Sequence, residues 1–278
     1  MPDVDAVTHL IERVAHDIVM PKFNALRDDE IHHKPTAGHV DDIVTVVDRD
    51  AEAQLTRGLL ELLPSAAVLG EEAAHHQPGL LSLVHEDRPV WIIDPLDGTS
   101  NFARGHDAFG IMVGLAMSGE MRAAWINLPA RGEAFVAEAG AGAFYNGERL
   151  TIPPSEPRRP RGALFVRYMP PSVRDSVLSS LAGHIEPTMH TGAAAVEYTD
   201  IIRGRQEFAV YYRLLPWDHG APALMLVESG GTVAHLDGRP YSVRSPNQLT
   251  FMTRDTQLAA QLRDWVAPGA PTAPNHVG

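Results

Sequence analysis

The sequence predicts an α+β half followed by an α/β half, stacked as layers of sheet and helix rather than closed into a barrel. Three observations predict it. Apolar residues recur at helical spacing near the N-terminus. Three apolar runs joined by tight turns fill the middle of the chain. Beyond a proline- and arginine-rich stretch at 152–162, strand and helix patterns alternate.

Taken in order, Val7, Leu10, Ile11, Val14, Ile18 and Val19 form one stripe, so residues 4–20 are expected to be an amphipathic helix. A second helix is expected from Asp50 to Leu63, with Leu55, Leu59, Leu62 and Leu63 on one stripe and Pro64 ending it. "AAVLGEE" is expected to be a short strand delivering Glu71 and Glu72 at its end, and "VWII" another delivering Asp94. "FGIMVGLAM", "MRAAWINLP" and "EAFVAEAG" read as an antiparallel meander turning at Ser118-Gly119 and Ala130-Gly132, and Asn146-Gly147 marks a further turn. The stretch 152–162 is the expected junction, giving an N-terminal α+β subdomain at 1–152 and a C-terminal α/β subdomain at 153–266. In the second half "ALFVRYM", "EFAVYY", "TVAHL" and "LTFMT" read as strands. Helices are expected over 172–182, 192–203, from Trp217-Asp218 to Gly230-Gly231, and 255–266. The tail 267–278 has no periodicity and is expected to be disordered.

Composition bounds the function. At 278 residues the chain can bury a sizeable core, and 44% hydrophobic with 21% charged residues is ordinary for a globular protein. A net charge of −12 argues against a nucleic-acid partner and suits a protein that binds cations. With no cysteine, disulfides, zinc thiolates and cysteine nucleophiles are excluded. The N-terminus "MPDVDAVTHL" has no signal-peptide pattern, and the apolar stretch from Phe109 to Met117 is too short to span a bilayer. The expectation is a cytoplasmic protein without a membrane partner.

Four acidic islands stand out: Asp48 in "DIVTVVDRD", Glu71 in "LGEE", the pair Asp94 and Asp97 in "WIIDPLDGTSNF", and Asp218 in "PWDHGAP". Each lies at the end of an apolar run or at a helix start, where a rigid scaffold can project it into a cleft. Singly they have plainer readings: Asp48 and Asp218 as helix N-caps, Glu71-Glu72 as solvated surface. Converging carboxylates repel; two charges 4 Å apart cost roughly 4 kcal/mol at an effective dielectric of 20. Several such pairs exceed a folding margin of about 5–15 kcal/mol. Hard divalent cations such as Mg²⁺ or Mn²⁺ remove that cost and prefer oxygen ligands. Gly98 lets backbone approach a ligand, and Thr99 and Ser100 can cap a helix start that favours an anion. The stretch therefore reads as a metal-and-phosphate clamp.

Two look-alikes fail on spacing. The twelfth residue from Asp94 is Gly105, where an EF-hand needs Glu. An aspartyl-phosphate motif has one residue fewer between its aspartates. His32-His33 and His75-His76 are expected on polar surface loops, and Arg158, Arg159 and Arg161 in a solvated linker.

"GEE", "WIIDPLDGTSNF" and "PWDHGAPALMLVESGG", in this order, with "DIVTVVDRDAE" before them, resemble the inositol monophosphatase family of Mg²⁺-dependent, lithium-sensitive phosphatases, over residues 5–266. The resemblance implies a layered αβαβα sandwich and a homodimer. It implies two or three Mg²⁺ ions, with Mn²⁺ able to substitute. Glu71, Asp94 and the Leu96 carbonyl hold the first ion, and Asp94, Asp97 and Asp218 the second. Glu71 also touches a third. Thr99 paired with Asp48 orients and deprotonates the attacking water. The backbone of Gly98 and Thr99 grips the phosphate, and Gly192, Ala193 and Ala194 face the alcohol. The implied reaction is hydrolysis of a small phosphorylated metabolite: an inositol phosphate-like, sugar or polyol phosphate. The alternatives are histidinol phosphate, fructose 1,6-bisphosphate or a 3′-phosphonucleotide, or a catalytically weak metal-binding regulatory dimer.

The sequence departs from the family pattern at a few positions. Inositol-specific members carry an acidic residue seven positions before the Trp-Asp aspartate; here it is Tyr211, followed by Tyr212 and Arg213. The family's upstream lysine has no aligned match, with Ala37 at its position and Lys34 nearby, and His219 follows Asp218 where a small or apolar residue is commoner. Tyr211 and Arg213 are accordingly expected to set a substrate preference other than inositol phosphate.

Overall fold

The computed structural model describes residues 2–33, 43–155 and 158–266. The expected tail at 267–278 and Lys34 and Ala37 lie outside them.

Helix α1 (Val4–Val14) is capped by the Asp3 carboxylate and buries Val7, Leu10, Ile11 and Val14. The expected helix at 4–20 does keep coiling, but it widens into a π-turn over Ala15–Val19 and tightens to 3₁₀ over Met20–Lys22, where Pro21 lacks the donor to continue. Strands β1 (Ile31–His33) and β2 (Ile43–Thr45) form a small antiparallel pair. Helix α2 (Val46–Leu62) begins four residues before the sequence expectation of Asp50. Thr45 is its N-cap, and Asp48 sits inside the first turn as the second half of a capping box.

Strand β3 (Ala67–Gly70) leads into helix α3 (Glu71–His76), so Glu71 and Glu72 open a helix rather than close a strand. Strand β4 (Pro89–Asp97) runs through both aspartates, and helix α4 (Thr99–Ala103) follows Gly98. The meander is β5 (Gly110–Met117), β6 (Glu120–Leu128) and β7 (Glu133–Glu138), and it continues into a hairpin the sequence marked only by its turn, β8 (Gly142–Tyr145) and β9 (Glu148–Leu150). These form a seven-stranded sheet in the order β3-β4-β5-β6-β7-β8-β9.

The second half carries β10 (Arg161–Leu164), α5 (Pro171–Leu181), β11 (Glu186–Thr188), α6 (Ala194–Ile202), β12 (Phe208–Tyr211), α7 (Pro216–Glu228), β13 (Thr232–His235), β14 (Thr250–Thr253) and α8 (Thr256–Val266). The strand expected at 163–169 stops at Leu164. The five strands pair in the order β11-β10-β12-β14-β13.

Alternation along the strands assigns the layers. Ile111, Val113 and Leu115 pack with α1 and α2, whereas Met112 faces α6 and α7. On β12, Ala209 and Tyr211 face that same helix pair, and Phe208 and Val210 turn to α5 and α8. The stack runs α1/α2, large sheet, α6/α7, small sheet, α5/α8. It is the expected αβαβα sandwich. Both sheets are covered on both faces, which is why their central strands read as nearly unbroken apolar runs.

Candidate active site

The site grows from the end of β4. A regular strand would point Asp94 and Asp97 to opposite faces, because three positions separate them. Here Asp94 lies opposite Met112 and Asp97 opposite Gly110, so three steps on β4 match two on β5. The bulge at Pro95-Leu96 absorbs the extra residue, and Pro95 has no N–H to lose from the ladder. Both carboxylates therefore face the α6/α7 layer, both are buried, and the bulge leaves the Leu96 carbonyl at the turn.

Gly98 closes the turn at φ 82°, where a Cβ would meet the Ala108 carbonyl oxygen at 2.7 Å and Ala193 Cβ at 2.9 Å. No other residue fits there without strain. The same contact places the Gly192-Ala193 loop against this turn. Gly98, not Thr99 or Ser100, caps the short helix α4, and Thr99 is left with another task. Its Oγ1 lies 2.9 Å from Asp48 Oδ1 and 2.9 Å from the Leu96 carbonyl oxygen. Asp48 is in turn fixed through its other oxygen by Thr45, from N–H at 2.7 Å and from Oγ1 at 2.6 Å. The capping box of α2 thus orients one carboxylate oxygen onto a hydroxyl 51 residues away.

Asp97 accepts the Ala195 N–H at 2.7 Å, which ties it to the start of α6. Asp94 Oδ1 accepts the Leu96 N–H at 3.1 Å. Asp218 stands on the first turn of α7, past the Leu215 cap, and is half-buried. Glu71 is half-buried at the start of α3, whereas Glu72 is buried, against the expectation of a solvated pair.

Electrostatics shows which acids share space. Burial, reinforced by the charge of Asp218 and of Glu71, pushes Asp97 up to about 8 against the pull of the α6 N–H groups. Burial, with Glu71 adding to it, pushes Asp48 up to about 7 despite the Thr45 hydrogen bonds. Glu71 therefore lies near both Asp48 and Asp97, and Asp218 near Asp97. An all-oxygen set of this kind fits a hard divalent cation. Among the described residues, no three acidic or histidine side chains are gathered tightly enough to enclose an ion as they stand. Asp94 and Asp97 each accept a backbone N–H, from Leu96 and from Ala195.

Two residues escaped the sequence reading. Glu52, one helical turn after Asp48, accepts the N–H groups of Glu72 and Ala73 at 2.8 Å each and so anchors the turn that carries Glu71. Gly70 is what lets it in, since a Cβ there would lie 2.3 Å from the Glu52 carboxyl carbon. Burial lifts Glu52 to about 7. An acid four positions after Asp48 on the apolar stripe of α2 was the available signal. Asn101 donates to the carbonyls of Ala108 and Thr191 at 2.7 and 2.8 Å, stitching α4 to the 191–193 loop.

The two residues expected to set substrate preference lie at the end of β12 and just beyond it. Tyr211 is buried, stacked on Phe165 at 4.1 Å and edge-on to His219 at 4.7 Å. Its hydroxyl is shut away and has no hydrogen-bond partner among the described residues. The alternation of β12 turns it into the α6/α7 layer, the layer that Asp94 and Asp97 also face. Arg213, on the loop beyond, stays reachable: its guanidinium lies over the Tyr168 ring at 3.7 Å and 3.8 Å from Asp218 Oδ2. His219 is buried, and burial lowers it to about 3, so it is neutral. Its Nε2 faces the Arg213 carbonyl oxygen at 3.0 Å and its Nδ1 the Tyr198 hydroxyl at 3.1 Å. A carbonyl only accepts, so Nε2 carries the hydrogen and Tyr198 donates to Nδ1.

The remaining candidates are not at the site. His32, His33, His75 and His76 are exposed, but on β1 and α3 rather than on loops. Arg158 and Arg159 are not merely solvated: Arg158 pairs with Glu207 at 2.9 Å and Arg159 donates to the Gly183 carbonyl at 3.3 Å.

Comparison with known proteins decides the family: the model described as "Inositol monophosphatase family" matches residues 3–270. The chain belongs to the inositol monophosphatase family. It is 29% identical over 206 residues to the fructose-1,6-bisphosphatase/inositol-1-monophosphatase of Thermotoga maritima, covering 74% of this chain and 76% of that protein. It is 30% identical over 203 residues to a histidinol-phosphatase of Chlorobaculum parvum, covering 70% and 73%. Among solved structures, a Thermotoga maritima IMPase matches with a TM-score of 0.77 at 25% identity, covering 95% of this chain and 96% of that one. Membership makes the chain a phosphoric monoester hydrolase acting on a small phosphorylated metabolite. Among the described residues no helix is long and apolar enough to cross a membrane.

Proposed function

We propose that this family member is a Mg²⁺-dependent phosphomonoesterase that uses water as nucleophile. The observation that carries the reading is the Thr99–Asp48 pair beside the Asp94–Asp97 bulge. Glu71, Asp94 and the Leu96 carbonyl hold one cation, Asp94, Asp97 and Asp218 a second, and Glu71 touches a weaker third. Bound cations supply charge neutralisation and acidify water, and Mn²⁺ serves in place of Mg²⁺. Thr99 aligns the attacking water and takes its proton as Asp48 accepts the hydroxyl's own. The Gly98 and Thr99 N–H groups grip the phosphoryl oxygens. A water–phosphorus bond forms, the phosphorus–alcohol bond breaks, the leaving oxygen takes a proton from solvent water, and Asp48 returns its own to solvent. Gly192, Ala193 and Ala194 line the alcohol side.

Residues 1–152 supply most of the acids and 153–266 complete the site with Asp218. A homodimer in the cytoplasm, lithium sensitivity and the absence of a nucleic-acid partner belong to the same proposal. A regulatory protein that only binds metal has no use for a paired threonine and aspartate, which favours the enzymatic reading. The test is phosphate release from a panel of phosphorylated metabolites with Mg²⁺, with chelator, and with Mg²⁺ restored. Release that persists in chelator, or none on any compound, overturns it.

A further inference from the structure

The loop after β12 holds an arginine in an unusual setting. The Arg213 guanidinium sits over the Tyr168 ring at 3.7 Å, and the His219 N–H holds the Arg213 carbonyl. The guanidinium has five N–H donors in a rigid fork. Among the described residues none has a hydrogen-bond acceptor: the nearest carboxylate oxygen, of Asp218, stands at 3.8 Å, too far for a hydrogen bond. The side chain is 27% exposed, so the fork is open to solvent. Arg167 is over the same ring at 5.3 Å, which puts two cations around one tyrosine in a chain of net charge −12. A cation held by Asp218 would take up that carboxylate's charge and leave Arg213 without its electrostatic partner.

We propose that the substrate carries a second anionic group besides the phosphate that is cleaved, and that Arg213 binds it. This rests on the phosphomonoesterase reading and names its substrate class. The shared chemistry is a planar or tetrahedral oxyanion, to which an arginine fork offers paired hydrogen bonds. The short distance from Arg213 to Asp218 sets the anion close to the reacting phosphate. Tyr198 and His219 act through Arg213 as positioning residues: hydroxyl to Nδ1, then Nε2–H to the Arg213 carbonyl. The buried Tyr211 leaves Arg213 as the feature of this loop that meets the substrate.

Three matched pairs test the idea and separate the sources of the anion: glycerol 2-phosphate against 2-phosphoglycerate, fructose 1-phosphate against fructose 1,6-bisphosphate, and adenosine 3′-phosphate against adenosine 3′,5′-bisphosphate. Phosphate release with Mg²⁺ gives kcat/KM for each. Calorimetry in a Thr99→Ala background with Mg²⁺ gives affinities independent of turnover. In at least one pair the member with the second anionic group is favoured by about tenfold or more, as expected of a charge-assisted fork. In Arg213→Gln that ratio falls toward one in both readouts. His219→Ala weakens the same preference mainly through KM, and His219→Gln, which keeps an N–H donor, recovers part of it. No preference in any pair, or a preference that survives Arg213→Gln, overturns the proposal. Release on all compounds without preference leaves the phosphatase reading standing and removes the Arg213 role. A preference in binding without release on any compound does the opposite.

Discussion

The two sides of the proposed site, one for phosphate and one for the alcohol, are built differently. The phosphate side is one continuous stretch, Asp94 to Thr99, shaped by a bulge and a left-handed glycine and braced by a capping box. The alcohol side is assembled from the 191–195 loop, the residues after β12 and the first turn of α7, which lie far apart in the chain. The first side's chemistry is set by covalent neighbours. The second side's depends on which faces the strands and helices happen to turn.

The comparison breaks most sharply at Asp94. Asp94→Asn is expected to lower turnover by roughly a thousandfold or more, since both proposed cations lean on that carboxylate and metal assistance supplies several kcal/mol. The protein should remain folded by circular dichroism, because one like charge leaves a crowded cluster. Near-normal turnover would remove Asp94 from the site.

Thr99→Ala comes next. A proton-transfer group contributes about 10²–10⁴-fold, so kcat should fall by that order with KM little changed, as for a group that acts in the transition state. A rise in KM at constant kcat would make Thr99 a binding residue instead.

The pH dependence of stability is a smaller, graded effect. Asp48 and Asp97 have folded values raised to about 7 and about 8 from 3.8. Between roughly pH 4 and 8 the folded chain therefore holds protons that the unfolded chain has released, and stability falls as pH rises through that window. Chelated protein should melt at lower temperature at pH 8 than at pH 6. Mg²⁺ should raise Tm by several degrees more at pH 8 than at pH 5. Equal Mg²⁺ shifts at both pH values would separate these acids from the cation.

On the alcohol side Tyr211→Phe should change least. A buried hydroxyl without a partner contributes nothing favourable, so stability should stay within about 1 kcal/mol or rise, and kcat/KM should move less than about threefold. A loss of tenfold or more would return Tyr211 to the substrate-contact role expected from sequence.

That asymmetry also explains what could be read in advance. The stacking of sheets and helices was legible because buried strands write apolar runs and α1 and α2 write helical stripes; the αβαβα layering came through resemblance to a family. The Asp94–Thr99 clamp was legible because its parts are adjacent in sequence. The Thr99–Asp48 pairing spans 51 residues and came only through resemblance to a family. Glu52 and Asn101 were missed because their partners are backbone groups of distant segments, which carry no residue signature. The start of α2 was misjudged by four residues because Thr45, not Asp48, caps it. The burial of Tyr211 was not legible, because position alone does not say which layer a strand's last residue faces.

The most direct test of the central claim is a single turnover in ¹⁸O-enriched water, with both phosphate and protein examined by mass spectrometry. With Thr99 and Asp48 activating water, the released phosphate carries one ¹⁸O from solvent and the protein gains no phosphoryl group. Stoichiometric phosphoprotein formed during that turnover would contradict the account.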